Sequence, residues 1–173
     1  SPGEWTGFVF SGSASGSHLT GLSVRYAGWN GNPALRLNAS NPTFTLCSTL
    51  SCAAAGMDLG NNSAPTVASC NFVGGTRPAV NVPLASLVGF TGCTATGQTV
   101  YDAPQVLTTL STGTAAVTVA NTMNGSGVIV GVGGLTVSAG TTLTLGPGVI
   151  VKVDGVSTFN VAGTLVTNGL PAN

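Results

Sequence analysis

Pro33-Ala-Leu-Arg-Leu through Cys47, Ala55-Gly-Met-Asp-Leu through Cys70, and Pro78-Ala-Val-Asn-Val through Cys93 can be laid over one another at a step of 22 or 23 residues. In that register Leu35, Met57 and Val80 share one column, Leu37, Leu59 and Val82 a second, and Cys47, Cys70 and Cys93 a third. A unit this short cannot bury its own apolar face, so successive units must stack and share a continuous core. Most of the sequence is therefore committed to architecture, which leaves little for chemistry.

Working outward, Gly7-Phe8-Val9-Phe10 fits the columns of Leu35 and Leu37, and Leu22-Ser-Val24 is expected to fit those of Phe44-Thr-Leu46. About four coils with long turns then fill 1–97, in which apolar and polar residues alternate with the period of two of a half-buried strand. Bends fall at Trp29-Asn-Gly-Asn-Pro33 and Gly60-Asn-Asn-Ser63, built from turn-forming residues. The pattern lapses over 98–115, read as an irregular connection, and returns over 116–173 with shorter turns. There Leu135 to Phe159 is a step of 24 and Leu143 to Leu165 a step of 22. Three short strands per coil of 22–24 residues predict an all-β parallel β-helix, a solenoid, as one domain over 1–173.

Eight residues carry charge: Glu4, Asp58, Asp102 and Asp154 against Arg25, Arg36, Arg77 and Lys152. A net charge of zero with 5 % charged residues argues against nucleic acid or an anionic membrane as partner, since both require a concentrated basic face. Disorder is excluded by 43 % apolar residues. The most apolar run, Gly127 to Val137, is interrupted by four glycines and is too short for a membrane helix of about 20 residues. The chain begins at Ser1 with neither a methionine nor a signal sequence, which is expected of a processed chain or a piece of a longer one. Four cysteines in so uncharged a chain suggest an oxidising, extracytoplasmic setting.

Leu135-Thr-Val-Ser-Ala-Gly-Thr-Thr-Leu-Thr-Leu-Gly-Pro-Gly-Val-Ile-Val-Lys152, followed by Phe159-Asn-Val-Ala-Gly-Thr-Leu-Val-Thr-Asn-Gly169, resembles a segment of secreted bacterial right-handed parallel β-helix proteins of the pectate-lyase-like solenoid superfamily. Pro2-Gly-Glu-Trp5-Thr-Gly-Phe-Val-Phe10 resembles the Trp-Gly-aromatic strand that opens a later coil in that family. The resemblance implies the right-handed fold and secretion, and a scaffold shared by enzymes, adhesins and filament proteins. The order is permuted, because the motif that normally comes first lies at the C-terminal end. The chain is then expected to be one period of a tandem array, or to stack its last coil on the first coil of another copy.

The cysteine column admits disulfides, because rungs about 4.8 Å apart bring Cα atoms into bridging range. Cys47 with Cys52 and Cys70 with Cys93 is the preferred pairing; Cys47 with Cys70 and Cys52 with Cys93 competes with it. A zinc site would call for paired cysteines or histidines, and the single histidine, His18, ends a Gly/Ser turn with no acid placed beside it. Stacking is expected to bring Asp58 near one of Arg36 or Arg77, Arg36 sharing its column, in a weak cross-strand ion pair. Enzymes of the resembling family cleave acidic polysaccharides with clustered carboxylates, and no two carboxylates here share a column, so neither an enzyme nor a metal or other cofactor is expected.

Trp5, Phe8 and Phe10 near one end and Phe159, Val161 and Leu165 near the other are the candidates for end-to-end assembly. With only Pro2 and Glu4 at one end and Pro171 at the other as caps, an extracellular structural module that stacks on copies of itself into a fibre or surface array is the expected function. A cell-surface carbohydrate-binding or adhesin domain, with Tyr26 and Trp29 as a sugar platform, is the alternative, and a polysaccharide lyase or hydrolase ranks third. Thr142 and Thr144 begin a Thr-x-Thr array that fails one rung on, where the partners are Thr164 and Val166. Asn38-Ala-Ser40, Asn61-Asn-Ser63 and Asn124-Gly-Ser126 match the N-glycosylation acceptor, a triplet frequent by chance in such a chain.

Overall fold

Alternation along the repeated stretches becomes alternation of burial. Leu35, Leu37, Met57, Leu59, Val80 and Val82 are buried, whereas Arg36, Asp58 and Asn81 between them face outward. The computed structural model describes residues 1–60, 62–99, 102, 104–106, 116–119, 123, 127–131, 134–153, 155 and 158–169.

The first coils contain β1 (Phe8–Ser11), β2 (His18–Thr20), β3 (Ser23–Arg25), β4 (Leu35–Asn38), β5 (Thr43–Thr45), β6 (Ser48–Leu50), β7 (Met57–Leu59), β8 (Thr66–Ala68), β9 (Asn71–Val73), β10 (Val80–Val82), β11 (Phe90–Thr91) and β12 (Thr94–Thr96). They are followed by β13 (Pro104–Val106), β14 (Ala116–Val119), β15 (Gly127–Gly131), β16 (Leu135–Val137), β17 (Thr142–Leu145), β18 (Val149–Val153), β19 (Phe159–Val161) and β20 (Thr164–Thr167). All recorded strand pairings are parallel. One sheet runs the length of the molecule in the order β1-β4-β7-β10-β13-β15-β18. Two four-stranded sheets, β2-β5-β8-β11 and β3-β6-β9-β12, form the other sides of the first coils, and β14-β17-β20 and β16-β19 those of the last. The fold is the parallel β-helix that the repeat predicts.

The expected registers hold through the central coils: Leu35 pairs with Met57, Met57 with Val80, and Leu143 with Leu165. The first coil differs. Phe8 and Phe10 stack on Leu35 and Leu37 as expected, but it is Leu19 that lies on Phe44, while Val24 lies on Thr49. The Gly12–Gly16 stretch forms a 3-10 turn and enlarges this coil, moving Leu22-Ser-Val24 past the corner. Within the stretch read as an irregular connection, β13 takes a regular place beside β10. Positions 107–115, like Asn61 and Asn124 of the acceptor triplets, lie outside the described residues.

Corners are made by left-handed residues. Gly21, Leu46, Ser69 and Gly92 (φ +68, +55, +52 and +60°) turn the chain between the second and third strands. Leu22, Cys47, Cys70 and Cys93 follow them in one column, held by bonds such as Asn71 N–H to Cys47 C=O at 2.9 Å and Thr94 N–H to Cys70 C=O at 2.9 Å. Met123 continues that column by a parallel bridge to Cys93. Phe44, Phe72 and Phe90 fill the interior of the first coils, and Phe10 meets Phe44 edge-on at 5.4 Å.

Candidate functional site

Each end of the solenoid finishes in the terminal strands of three sheets. β1, β2 and β3 are each the terminal strand of their sheet at one end, and β18, β19 and β20 at the other, so among the described residues each end finishes in three strands that pair on one side only. Apolar side chains accompany these edges. At the first end Trp5 is 36 % exposed and Phe8 43 %, with the two rings edge to face at 5.4 Å. Trp5 is anchored by its indole N–H, which donates to the Arg25 carbonyl at 2.8 Å. At the far end Val161 is 41 % exposed and Leu165 37 %. The remaining two candidates, Phe10 and Phe159, pack partly against the core.

Tyr26 and Trp29 are both exposed and make no ring contact with each other. Tyr26 occupies the left-handed corner after β3 (φ +58°), in register with Ser51 and Gly74, and its ring points into solvent. Trp29 sits in the 3-10 turn Trp29–Gly31 and is 61 % exposed. The aromatic contacts among the described residues link Trp5, Phe8, Phe10 and Phe44 only. His18 lies exposed on β2.

The disulfides expected from the cysteine column are absent. Cys47, Cys52, Cys70 and Cys93 are all free, buried thiols. Each lies close to the carbonyl two residues before it: Thr45 for Cys47, Leu50 for Cys52 and Ala68 for Cys70 at 3.4–3.5 Å, Thr91 for Cys93 at 3.6 Å. Cys47 also reaches the Leu19 carbonyl of the rung below at 3.4 Å. The physical reason is that the corner takes an apolar filler. Leu22 and Met123 occupy the same column, so cysteine serves there as a hydrophobe with a weak donor. The neighbouring Cys93 thiol and burial push the Cys70 thiol above its ordinary value.

Three of the eight charged residues, Arg36, Asp58 and Lys152, lie on strands of the long sheet. Its outward column runs Val9, Arg36, Asp58 and Asn81, and the same backbone register continues through positions 105 and 130 to Lys152. Beside it the turns following β3, β6 and β9 overhang the strands and form a cleft of about 260 Å³ lined by Gly31, Pro33, Ala55, Asp58, Arg77 and Asn81. Burial pushes the Asp58 carboxyl above the ordinary aspartate value, and the Arg36 charge one rung below opposes that shift. The expected Arg36–Asp58 ion pair does not close. Among the described residues the ion pair within 4 Å joins the Ser1 amino group to Glu4. Asn81 Oδ1 is buried with no hydrogen-bond partner, a deficit of about 1–3 kcal/mol.

Asn81 was legible as a site residue, because it occupies the fourth place of Pro78-Ala-Val-Asn-Val as Arg36 and Asp58 do in theirs. Arg77 was legible as a possible neighbour of Asp58, and a turn rather than a strand register brings it to the same cleft.

No helix among the described residues is long and apolar enough to cross a membrane. No family model matches the chain, and no curated protein or solved structure matches it.

Proposed function

We propose that this chain is a structural β-solenoid module that joins copies of itself end to end in an extracellular fibre or surface array. The observation that carries the proposal is that, among the described residues, both ends finish in three terminal strands flanked by exposed apolar side chains, with Phe8 at one end and Leu165 at the other. Adding another coil would pair those edges and bury those side chains, and so few charges offer little repulsion against it. The permuted order of the motifs fits the same arrangement, whether successive copies lie in one long chain or in separate chains. An extracellular location is inferred from the resemblance to secreted β-helix proteins.

The two ends differ, so the contact is heterologous and propagates. Sedimentation velocity of the chain over a range of concentrations is expected to show self-association. Phe8→Asp and Leu165→Asp should each remain monomeric alone, whereas an equimolar mixture should form dimers, because each variant keeps the end that the other has lost. A wild-type chain that stays monomeric at every concentration, or an association that neither variant weakens, would overturn the proposal.

A further inference from the structure

We propose that the Trp5 indole is a displaceable plug that holds the first end of the solenoid closed until the last coil of another copy arrives. The proposal rests on the end-to-end joint inferred above and concerns how that joint is regulated.

On the sheet β3-β6-β9-β12 each rung passes a hydrogen bond to the next at the corner where the strand ends. The Tyr26 N–H donates to the Leu50 carbonyl at 3.2 Å, the Ser51 N–H to the Val73 carbonyl at 2.9 Å, and the Gly74 N–H to the Thr96 carbonyl at 2.9 Å. Arg25 stands in the same column, in register with Leu50 and through it with Val73 and Thr96. Its carbonyl is therefore the acceptor that the corner N–H of one more rung would take. The Trp5 indole N–H occupies it instead, at 2.8 Å, in the place of a backbone donor.

The substitution involves the side chain alone. The backbone of this segment is pinned: the Gly3 and Glu4 N–H groups donate to the Tyr26 carbonyl at 2.9 and 3.0 Å, and the Trp5 carbonyl accepts from the Gly28 N–H at 2.8 Å and the Trp29 N–H at 2.9 Å. From that anchored backbone hangs a residue 36 % exposed, its ring edge to face with Phe8 at 5.4 Å. Rotation about the side-chain torsions of Trp5 frees the Arg25 carbonyl without unpairing any strand. Release gives up one hydrogen bond and one edge-to-face contact, both modest. The plugged state thus prevails in the single chain and spares the terminal strand an unanswered acceptor. It yields to a rung that brings its own N–H, and it lowers the apparent affinity of the joint in proportion to the fraction of chains in which the plug is open.

Two measurements on the intact chain test this. Trp5→Phe keeps a ring against Phe8 and loses the donor, so in sedimentation velocity it should tighten self-association by about two- to tenfold, the equivalent of one hydrogen bond that no longer opposes docking. Adding Leu165→Asp should abolish that association, because it uses the same joint. In Trp29→Phe, where Trp5 is the remaining tryptophan, fluorescence emission should shift to the red as rising concentration drives association, because the ring leaves Phe8 for solvent. Association that Trp5→Phe weakens or leaves unchanged would overturn the plug and leave end-to-end joining intact. So would tightened association that survives Leu165→Asp, or an emission that stays fixed or shifts to the blue. Absence of self-association in the wild type and in Trp5→Phe alike would overturn the joint itself, and the plug with it.

Discussion

Phe44→Ala probes the shared core directly. Phe44 is fully buried, stacked between Leu19 and Val67 of adjacent rungs, with the Phe10 ring edge-on at 5.4 Å. Removing a buried phenylalanine ring costs about 3–5 kcal/mol, including the cavity it leaves. Phe8 makes the internal control. It is 43 % exposed, so 100 − 43 = 57 % of its surface is covered. Scaled against about 1.5–3 kcal/mol for full burial, Phe8→Ala should cost about 1–2 kcal/mol in the dispersed chain. Urea unfolding followed by circular dichroism, at a concentration where the chain is monomeric, reads both. Coils touch only their neighbours, so amide exchange should accelerate most in the strands around β5 when Phe44 is lost. A cost below about 1.5 kcal/mol for Phe44→Ala, or equal costs at the two positions, would refute a continuous interior stack that ends in an open rung.

Other positions test other joints of the structure. A Cβ at Gly89 would stand 2.0 Å from the Pro65 carbonyl oxygen, so Gly89→Ala should lower stability by about 1–3 kcal/mol or more, whereas Gly16→Ala, with open space around it, should be nearly neutral in the same denaturation assay. Asp58 binds its proton more readily in the fold than in the unfolded chain, so its contribution to stability is greatest below about pH 3.9 and is lost as pH rises through the raised folded value. Asp58→Asn should therefore flatten thermal stability across that window and raise it at neutral pH; a variant less stable at neutral pH would mean that attraction to Arg36 outweighs burial. Thiol titration of the unfolded, unreduced chain should find all four cysteines reactive, with slow labelling in the native state and no change of thermal midpoint on adding reductant. Loss of two thiols from that titration would show that a bridge forms after all.

The fold was legible because the core columns lie at a nearly fixed step, so that Leu35, Met57 and Val80 announce their own register. The error in the first coil has a physical origin. Its strands sit 25 to 27 residues from their partners rather than 22 or 23, and either Leu19 or Leu22 could satisfy the period of two when the turn length is unknown. The cysteine column was read correctly as a column and wrongly as a set of bridges. Spacing reports proximity, but it does not tell a thiol that packs from one that is oxidised, and Leu22 and Met123 in the same column reveal the packing role only once the corner geometry is known. The cleft was half legible. Arg36, Asp58 and Asn81 share a column in sequence, whereas Arg77 and the rim come from turns whose paths the period does not encode.

The central claim is that these coils continue across the boundary between copies. Electron microscopy of the concentrated chain at near-neutral pH, with diffraction from aligned material, tests it most directly. The account predicts thin, unbranched filaments one solenoid wide, with a strong axial spacing of about 4.8 Å that runs without interruption from copy to copy. Well-dispersed single particles at high concentration, or aggregates without that axial spacing, would contradict it.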